Sequence, residues 1–207
     1  YTGSAAGMVA YSGMTSIAER EGFIAVYPQG TIDSNGNAFF NVGYEFHGDS
    51  QINDVSFIRE LVRSLTKEFN LHRKKAFATG MSNGGDMSYL LACTSSDLFR
   101  AVAPVAGVLM KGLKDNCDIN SPVPLFEIHG TADKISLYEG DLNNVEGWGA
   151  YYDLSSTIDF FAKKYQLANK SIEQITSKES GAEYDIFFER HWADGLKEEV
   201  WMYRIEE

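Results

Sequence analysis

The chain has 207 residues, 44% of them hydrophobic, which suits one globular domain large enough to bury an apolar core. Its formal net charge is −11, so it would repel the phosphates of nucleic acids and the surface of anionic membranes. No segment approaches the roughly 20 consecutive apolar residues that a bilayer-spanning helix needs. We therefore expect neither a nucleic acid nor a membrane as a partner.

The first quarter of the chain predicts a helix, a strand and a long loop. Helical periodicity covers residues 10–21, and the apolar run FIAVY at residues 23–27 predicts a strand that ends at Pro28. Residues 31–52 are rich in Gly, Asn and aromatic side chains. A loop of that length in a compact domain is often functional.

Helices and strands alternate in the rest of the chain. Helices are predicted over residues 54–69, 83–93 and 155–166, the first with Asn53 or Asp54 as its N-cap. Strands are predicted over residues 75–79, 101–106, 124–128, 184–190 and 199–205, with a turn at Asp194-Gly195 between the last two. This alternation predicts one α/β domain over residues 1–207, in which helices cover both faces of a mostly parallel sheet. Ligands bind such sheets at the carboxyl ends of their strands.

One strand exit carries a nucleophile motif. Residues 80–84 read Gly-Met-Ser-Asn-Gly, which matches G-x-S-x-G, and another glycine follows. The pattern is weak in a chain with 19 glycines, but a predicted strand precedes it directly and a predicted helix follows it directly. In that context Ser82 would lie at the apex of a sharp turn, with glycines on either side because side chains there would collide with backbone. The sequence therefore predicts Ser82 as a catalytic nucleophile.

The acid that would complete a triad is Asp133. It follows the predicted strand 124–128, and the order nucleophile, acid, histidine is the one that α/β-hydrolases use. A turn-capping role is the alternative for an Asp in this position. Asp141, Asp153 and Asp159 are weaker candidates, because they lie further from the strand exit or start a helix.

The general base is harder to place among the histidines at positions 47, 72, 129 and 191. His47 and His72 precede Ser82, and His129 adjoins the loop of the acid, where a structural role at the strand end is expected. Only His191 follows Asp133, and it lies one strand earlier than the base should. A histidine beyond residue 207 is the favoured alternative.

The two cysteines, Cys93 and Cys117, do not fit a zinc site, because the chain has neither a CxxC pair nor a histidine cluster to accompany them. From the residues alone, one disulfide and two buried thiols remain equally open.

These motifs resemble the polyhydroxybutyrate depolymerase and feruloyl esterase family of α/β-hydrolases, close to carbohydrate esterase family 1. The matching stretches lie in order over most of residues 10–133, and they are AYSGMTSIAEREGFIAVYPQGT, NDVSFIRELV, ATGMSNGG, LFRAVAPVAG and PVPLFEIHGTAD. The pair GMSNGG and HGTAD is quite specific, whereas residues 134–207 match more loosely.

The resemblance implies an α/β-hydrolase fold with Ser82 as nucleophile and Asp133 as triad acid. It implies an oxyanion hole made by the backbone N–H groups of Asn83 and of the residue at or beside Tyr1. In the family a Gly-Gly-His segment follows a strand like residues 199–207, and a strand ending in His-Gly precedes the position of Tyr1. We therefore expect a domain clipped at both ends, without its first strands and the segment that carries the catalytic histidine.

The resemblance also implies a disulfide between Cys93 and Cys117, and a secreted or periplasmic location. The expected function is a serine esterase that works through an acyl-serine without metal or organic cofactor. Its substrates would be feruloyl or acetyl esters of polysaccharides, or a polyester, and the oligomeric state stays open. The alternatives are a non-catalytic protein that binds a polysaccharide or polyester, and a peptidase on the same scaffold.

Overall fold

The computed structural model describes residues 1–48, 50–119, 121–176 and 184–206, and these contain eight strands. In chain order the strands are β1 (Thr31–Ile32), β2 (Ala38–Phe39), β3 (Ala76–Met81), β4 (Phe99–Val105), β5 (Leu125–Gly130), β6 (Asn169–Thr176), β7 (Asp185–Trp192) and β8 (Val200–Glu206). The strands β1 and β2 form a small antiparallel pair inside the predicted long loop.

The main sheet has six strands in the order β3-β4-β5-β8-β7-β6. The pairs β3/β4, β4/β5 and β5/β8 are parallel, and the pairs β7/β8 and β6/β7 are antiparallel. The sheet is therefore mostly parallel, as predicted, and the carboxyl ends of β3, β4 and β5 lie at one edge.

Six α-helices accompany the sheet in the described residues. They are α1 (Ala5–Ser12), α2 (Met14–Glu21), α3 (Asp54–Glu68), α4 (Asn83–Thr94), α5 (Lys111–Asp115) and α6 (Leu154–Lys164), and a 3-10 helix spans Glu45–His47. Asn53 caps α3, its side chain accepting a hydrogen bond from Ser56 N, so the first of the two predicted N-caps is confirmed. The predicted helix 10–21 is divided by Gly13, whose φ of 62° no helix interior accommodates. Within the described residues, no helix has both the length and the apolar character that crossing a bilayer would require.

Helices lie on both faces of the sheet. The fully buried Tyr89 of α4 packs against Phe161 of α6, with ring centroids 5.7 Å apart, over the face of the sheet that Leu125 also fills. On the opposite face, the hydroxyl of Tyr11 in α1 contacts the sulfur of Met81. Side chains alternate along a strand, so Phe77 shares that second face with Met81 and is 64% exposed.

The predicted strand at residues 23–27 is wrong. The segment forms no strand in the structure, and Phe23, Ile24 and Val26 are each more than 40% exposed. An apolar run becomes a strand only where a neighbouring strand pairs with its backbone, and no strand of the described part of the chain pairs with this segment. The sequence pattern also missed β6 and the short helix α5.

Cys93 at the end of α4 and Cys117 after α5 form a disulfide, as the family resemblance implied. Both residues are buried in the main apolar cluster. The bond therefore fastens the helix that follows Ser82 to the segment between β4 and β5.

Candidate active site

Ser82 is the single residue between β3 and α4, and its backbone is strained. Its φ of 54° and ψ of −120° lie outside the regions that serine ordinarily adopts. Its backbone N–H donates to the carbonyl oxygen of Val105 at 2.9 Å, which ties the turn to the end of β4. The residue is half-buried, and no described side chain forms a hydrogen bond to its hydroxyl. This is the geometry expected of a nucleophile elbow.

The glycines around Ser82 differ in what they permit. A Cβ on Gly80 would lie 2.5 Å from the carbonyl carbon of Gly84, and a Cβ on Gly85 would lie 2.8 Å from Cα of Gly107. A Cβ on Gly84 would meet nothing within 4 Å. The expectation that a side chain would collide at both motif glycines is therefore correct at Gly80 and wrong at Gly84. Gly84 contributes the backbone atoms with which a side chain on Gly80 would collide.

A small pocket opens beside the Ser82 side chain. Its walls come from the loops after β2, β4 and β5 and from the first turn of α4, and they consist of Tyr44, Ser82, Asp86, Val108, Ile135, Ser136, Trp148 and Tyr151. Aromatic rings form one side, with the centroids of Tyr44 and Trp148 5.3 Å apart. The pocket is where the carboxyl ends of parallel strands meet, the place at which this class of sheet binds ligands.

Asp133 lies in the loop that follows β5. Its Oδ1 accepts hydrogen bonds from the backbone N–H groups of Ile135 at 2.8 Å and Ser136 at 3.0 Å. These two residues also line the Ser82 pocket. The structure thus brings the loop of the predicted acid to the pocket of the predicted nucleophile. Asp133 caps the turn of this loop, and a turn-capping role is compatible with the role of a triad acid.

Of the two residues expected to form the oxyanion hole, Asn83 follows Ser82 directly, and Tyr1 packs against a residue that lines the Ser82 pocket. Asn83 begins α4, so its backbone N–H is among those without an acceptor inside the helix. The Tyr1 hydroxyl donates to Asp33 at 2.6 Å, and its ring packs edge-on against Trp148 of the pocket.

Asp86 is a pocket residue that sequence reasoning missed. It is 3% exposed, and its carboxylate accepts hydrogen bonds from the Tyr44 hydroxyl at 2.6 Å and from Val108 N at 2.7 Å. Burial raises the pKa of Asp86 to about 7, although these two donors favour its charged form. A charged residue in the first turn of an otherwise apolar helix was the available signal.

A second buried acid lies under the same loops. Glu127, in the middle of β5, is completely buried, and so is the side chain of His129 two residues later. His129 Nδ1 lies 3.1 Å from Glu127 Oε1, and Nε2 lies 2.7 Å from the carbonyl oxygen of Ser136. Burial lowers the pKa of His129, but the hydrogen bond and charge of Glu127 raise it more, so the net shift is upward.

None of the chain's four histidines lines the pocket. His191 pairs with Val200 at the amino end of β8, which in turn pairs with Leu125 at the amino end of β5. Ser82 and Asp133 follow the carboxyl ends of their strands, roughly 16 Å away along β5. The structure therefore excludes His191 as the base for Ser82.

Side chains that could ligate a metal also gather around His191, but the ammonium group of Lys170 already pairs with one of them. Asp159, Glu189 and His191 bring ligand atoms within 4.8 Å of one another. The ammonium group of Lys170 lies 2.7 Å from Glu189 Oε1, and His191 Nε2 lies 2.6 Å from the same oxygen. The ion pair therefore satisfies Glu189, and the cluster lies at the opposite end of the strands from Ser82.

Comparison with known proteins agrees with this geometry. The sequence model of the prolyl oligopeptidase family matches residues 9–119, more than half of the chain and the part that contains Ser82. The chain belongs to the prolyl oligopeptidase family. Individual relatives show which members of the family are similar to this chain.

Two fungal relatives confirm the resemblance to feruloyl esterases. Feruloyl esterase B of Piromyces equi is 31% identical over 145 residues, which are 69% of this chain and 26% of that protein. Feruloyl esterase C of Emericella nidulans is 38% identical over 88 residues, which are 42% of this chain and 31% of that protein. The chain thus spans between a quarter and a third of the length of these relatives.

A solved structure extends the likeness to almost the whole chain. The acetyl xylan esterase from Aspergillus awamori superimposes with a TM-score of 0.63 at 17% identity, over 98% of this chain and 78% of that one. At this identity the likeness concerns the fold, and it confirms the predicted α/β-hydrolase architecture.

Proposed function

We propose that the protein hydrolyses carboxylic esters through an acyl-serine formed on Ser82. The observation that carries this proposal is the strained turn between β3 and α4. It presents a hydroxyl that has no hydrogen-bond partner among the described residues to a pocket shared with the loop of Asp133. Backbone strain of this kind costs free energy, and it persists at sites where it serves a function.

Each neighbouring group then takes a role in acyl transfer. Ser82 attacks the ester carbonyl carbon, and the N–H groups of Asn83 and Tyr1 stabilise the oxyanion that forms. Asp133 orients the histidine that accepts the Ser82 proton and later protonates the leaving alcohol. Water then attacks the acyl-serine and releases the acid.

We assign the base to a histidine of the full-length gene product, in the Gly-Gly-His segment that the resemblance implies. His129 cannot take this role, since its two ring nitrogens face Glu127 and Ser136 inside the protein. His47 faces Asp33 at 3.2 Å and has no place in the pocket.

We propose feruloyl or acetyl esters of polysaccharides as the substrates. The named activities of the two feruloyl esterases and of the acetyl xylan esterase support this class. Tyr44 and Trp148 beside Ser82 offer flat apolar surface to a ring-shaped substrate. The Cys93–Cys117 disulfide supports a secreted or periplasmic location, because such bonds persist in oxidising compartments.

A peptidase is the second candidate, favoured by the match to the prolyl oligopeptidase family. Amides are harder to cleave than esters, because resonance stabilises the amide and an amine is a poorer leaving group than an alcohol. Comparing p-nitrophenyl acetate with p-nitroanilide peptides on the same enzyme separates the two activities.

The deciding experiment measures hydrolysis of p-nitrophenyl acetate and methyl ferulate by the full-length gene product and its Ser82→Ala variant. Loss of the nucleophile should lower kcat by roughly three orders of magnitude or more. Ser88→Ala is the matched control, because Ser88 lies on the same helix and donates only to the carbonyl oxygen of Gly84. A rate that survives in Ser82→Ala would exclude the mechanism, and saturable polysaccharide binding without a rate would favour the non-catalytic alternative.

A further inference from the structure

We propose that His129 is a positioning residue that fixes the loop of Asp133 against the Ser82 pocket by donating a hydrogen bond to the carbonyl oxygen of Ser136. This inference rests on the proposed function, in which Asp133 is the triad acid. It assigns a task to a histidine that the reaction itself does not use.

The ring of His129 contacts the loop of Asp133. His129 Nε2 lies 2.7 Å from the Ser136 carbonyl oxygen. The backbone N–H of Ser136 donates to Asp133 Oδ1 at 3.0 Å. Ser136 is therefore held from both sides, by the histidine through its carbonyl and by the acid through its amide. A shift of Ser136 would move both the Asp133 carboxylate and a wall of the pocket.

The groups behind His129 are themselves held by hydrogen bonds. His129 Nδ1 faces Glu127 Oε1, which also accepts from Gly107 N at 3.3 Å. The other oxygen of Glu127 accepts from the Tyr89 hydroxyl at 2.8 Å. Tyr89 belongs to α4 and Gly107 packs against Gly85 of the same helix, so the histidine is anchored to the helix that follows Ser82.

Burying the side chains of Glu127 and His129 costs desolvation free energy. The side chains of Glu127 and His129 are entirely buried. An apolar pair of similar volume at such a place is often at least as stabilising, so stability alone does not account for the ion pair. Its geometry does what an apolar pair cannot, since it extends a directed donor from the helix of the nucleophile to the loop of the acid.

Two substitutions of the same residue separate positioning from packing. In His129→Gln the side-chain amide reaches the place of Nε2 and keeps a donor for Ser136 O. In His129→Asn the shorter amide reaches the place of Nδ1, keeps the contact with Glu127 and loses Ser136. Each variant loses one of two buried hydrogen bonds, so their melting temperatures should fall by similar amounts.

The measurements are kcat and KM for p-nitrophenyl acetate on the full-length gene product. We expect His129→Gln to keep kcat within about threefold and His129→Asn to lose about 10-fold to 100-fold, with KM little changed, because a misplaced catalytic group acts on the chemical step. Equal kcat in His129→Gln and His129→Asn would overturn the proposal.

Amide hydrogen exchange keeps the inference separate from the proposed function. The N–H groups of Ile135 and Ser136 should exchange faster in His129→Asn than in His129→Gln. If the unsubstituted protein shows no Ser82-dependent rate, the proposed function fails, and exchange still decides whether His129 holds the loop. Identical exchange in the two variants refutes the role of His129 even if esterase activity is present.

Discussion

The side chain of Asn83 and the backbone of Phe40 exchange two hydrogen bonds. Asn83 Nδ2 donates to the Phe40 carbonyl oxygen at 2.9 Å, and Oδ1 accepts from the Phe40 N–H at 2.7 Å. Asn83 is 1% exposed, so water cannot replace either bond. The first residue of α4 therefore holds the segment after β2, which leads to Tyr44 of the pocket.

We expect Asn83→Ala to lower the free energy of unfolding by about 2 to 4 kcal/mol, because both backbone groups of Phe40 would be left buried and unpaired. Urea titration followed by circular dichroism measures this change. Asn116→Ala is the matched control, since Asn116 is exposed and its amide donates only to the carbonyl oxygen of Gly112. A control that loses as much stability as Asn83→Ala would show that burial is not the cause.

The motif glycines should respond unequally to alanine. Gly80→Ala forces a methyl group into the backbone of Gly84, and we expect a loss of at least about 2 kcal/mol in unfolding free energy. Gly84→Ala has free space and lies inside α4, so it should be neutral or stabilising by up to about 1 kcal/mol. Thermal unfolding of the two variants tests the difference. Equal destabilisation would contradict the structure at this turn.

The sequence predicted this turn well because the constraint is local. Residues 80–85 lie between an apolar strand and a mostly buried helix, and the motif itself predicts their conformation. The same holds for α3, whose apolar spacing and Asn53 cap are readable from the chain alone. Residues 23–27 show the opposite case, because a strand depends on a neighbour that its own sequence does not reveal.

The buried acids could not be placed from local patterns. Glu127 interrupts an apolar strand, and Asp86 follows the glycines of the motif, so both were visible as charges at core positions. Their partners, however, lie far along the chain: Tyr89 is 38 residues from Glu127, and Tyr44 is 42 residues from Asp86. Such contacts emerge only when the sheet order is known, which is also why the alternative base His191 could be excluded only in the structure.

The disulfide should contribute measurably to stability. Cys93 and Cys117 close a loop of 24 residues, and the chain-entropy estimate for a loop of this length is about 3 kcal/mol. Replacing both cysteines by alanine should lower the unfolding free energy by that order. Reducing agent should destabilise the unsubstituted protein and leave the double variant unchanged, and sensitivity of the double variant to reductant would contradict the assignment.

The buried carboxyl of Asp86 should make stability depend on pH. Burial raises its pKa from 3.8 to about 7, so between these values the folded state holds a proton that the unfolded state has released. The sign follows from linkage: the state that binds more protons is favoured at low pH, so this contribution is complete below about pH 4 and is lost as the pH rises through about 7.

Asp86→Asn removes this titration while keeping the size of the side chain. As the pH rises from 4 to 7, the unsubstituted protein should lose stability relative to Asp86→Asn. We expect the relative loss in unfolding free energy to be a few kcal/mol, on the order that a pKa shift of this size implies. Urea unfolding at several pH values measures the shift. Asp194→Asn is the control for the loss of one carboxylate, because Asp194 is exposed in the turn between β7 and β8, away from Asp86. Parallel profiles for the unsubstituted protein and Asp86→Asn would show that Asp86 stays ionised in the fold, held by the Tyr44 hydroxyl and Val108 N–H.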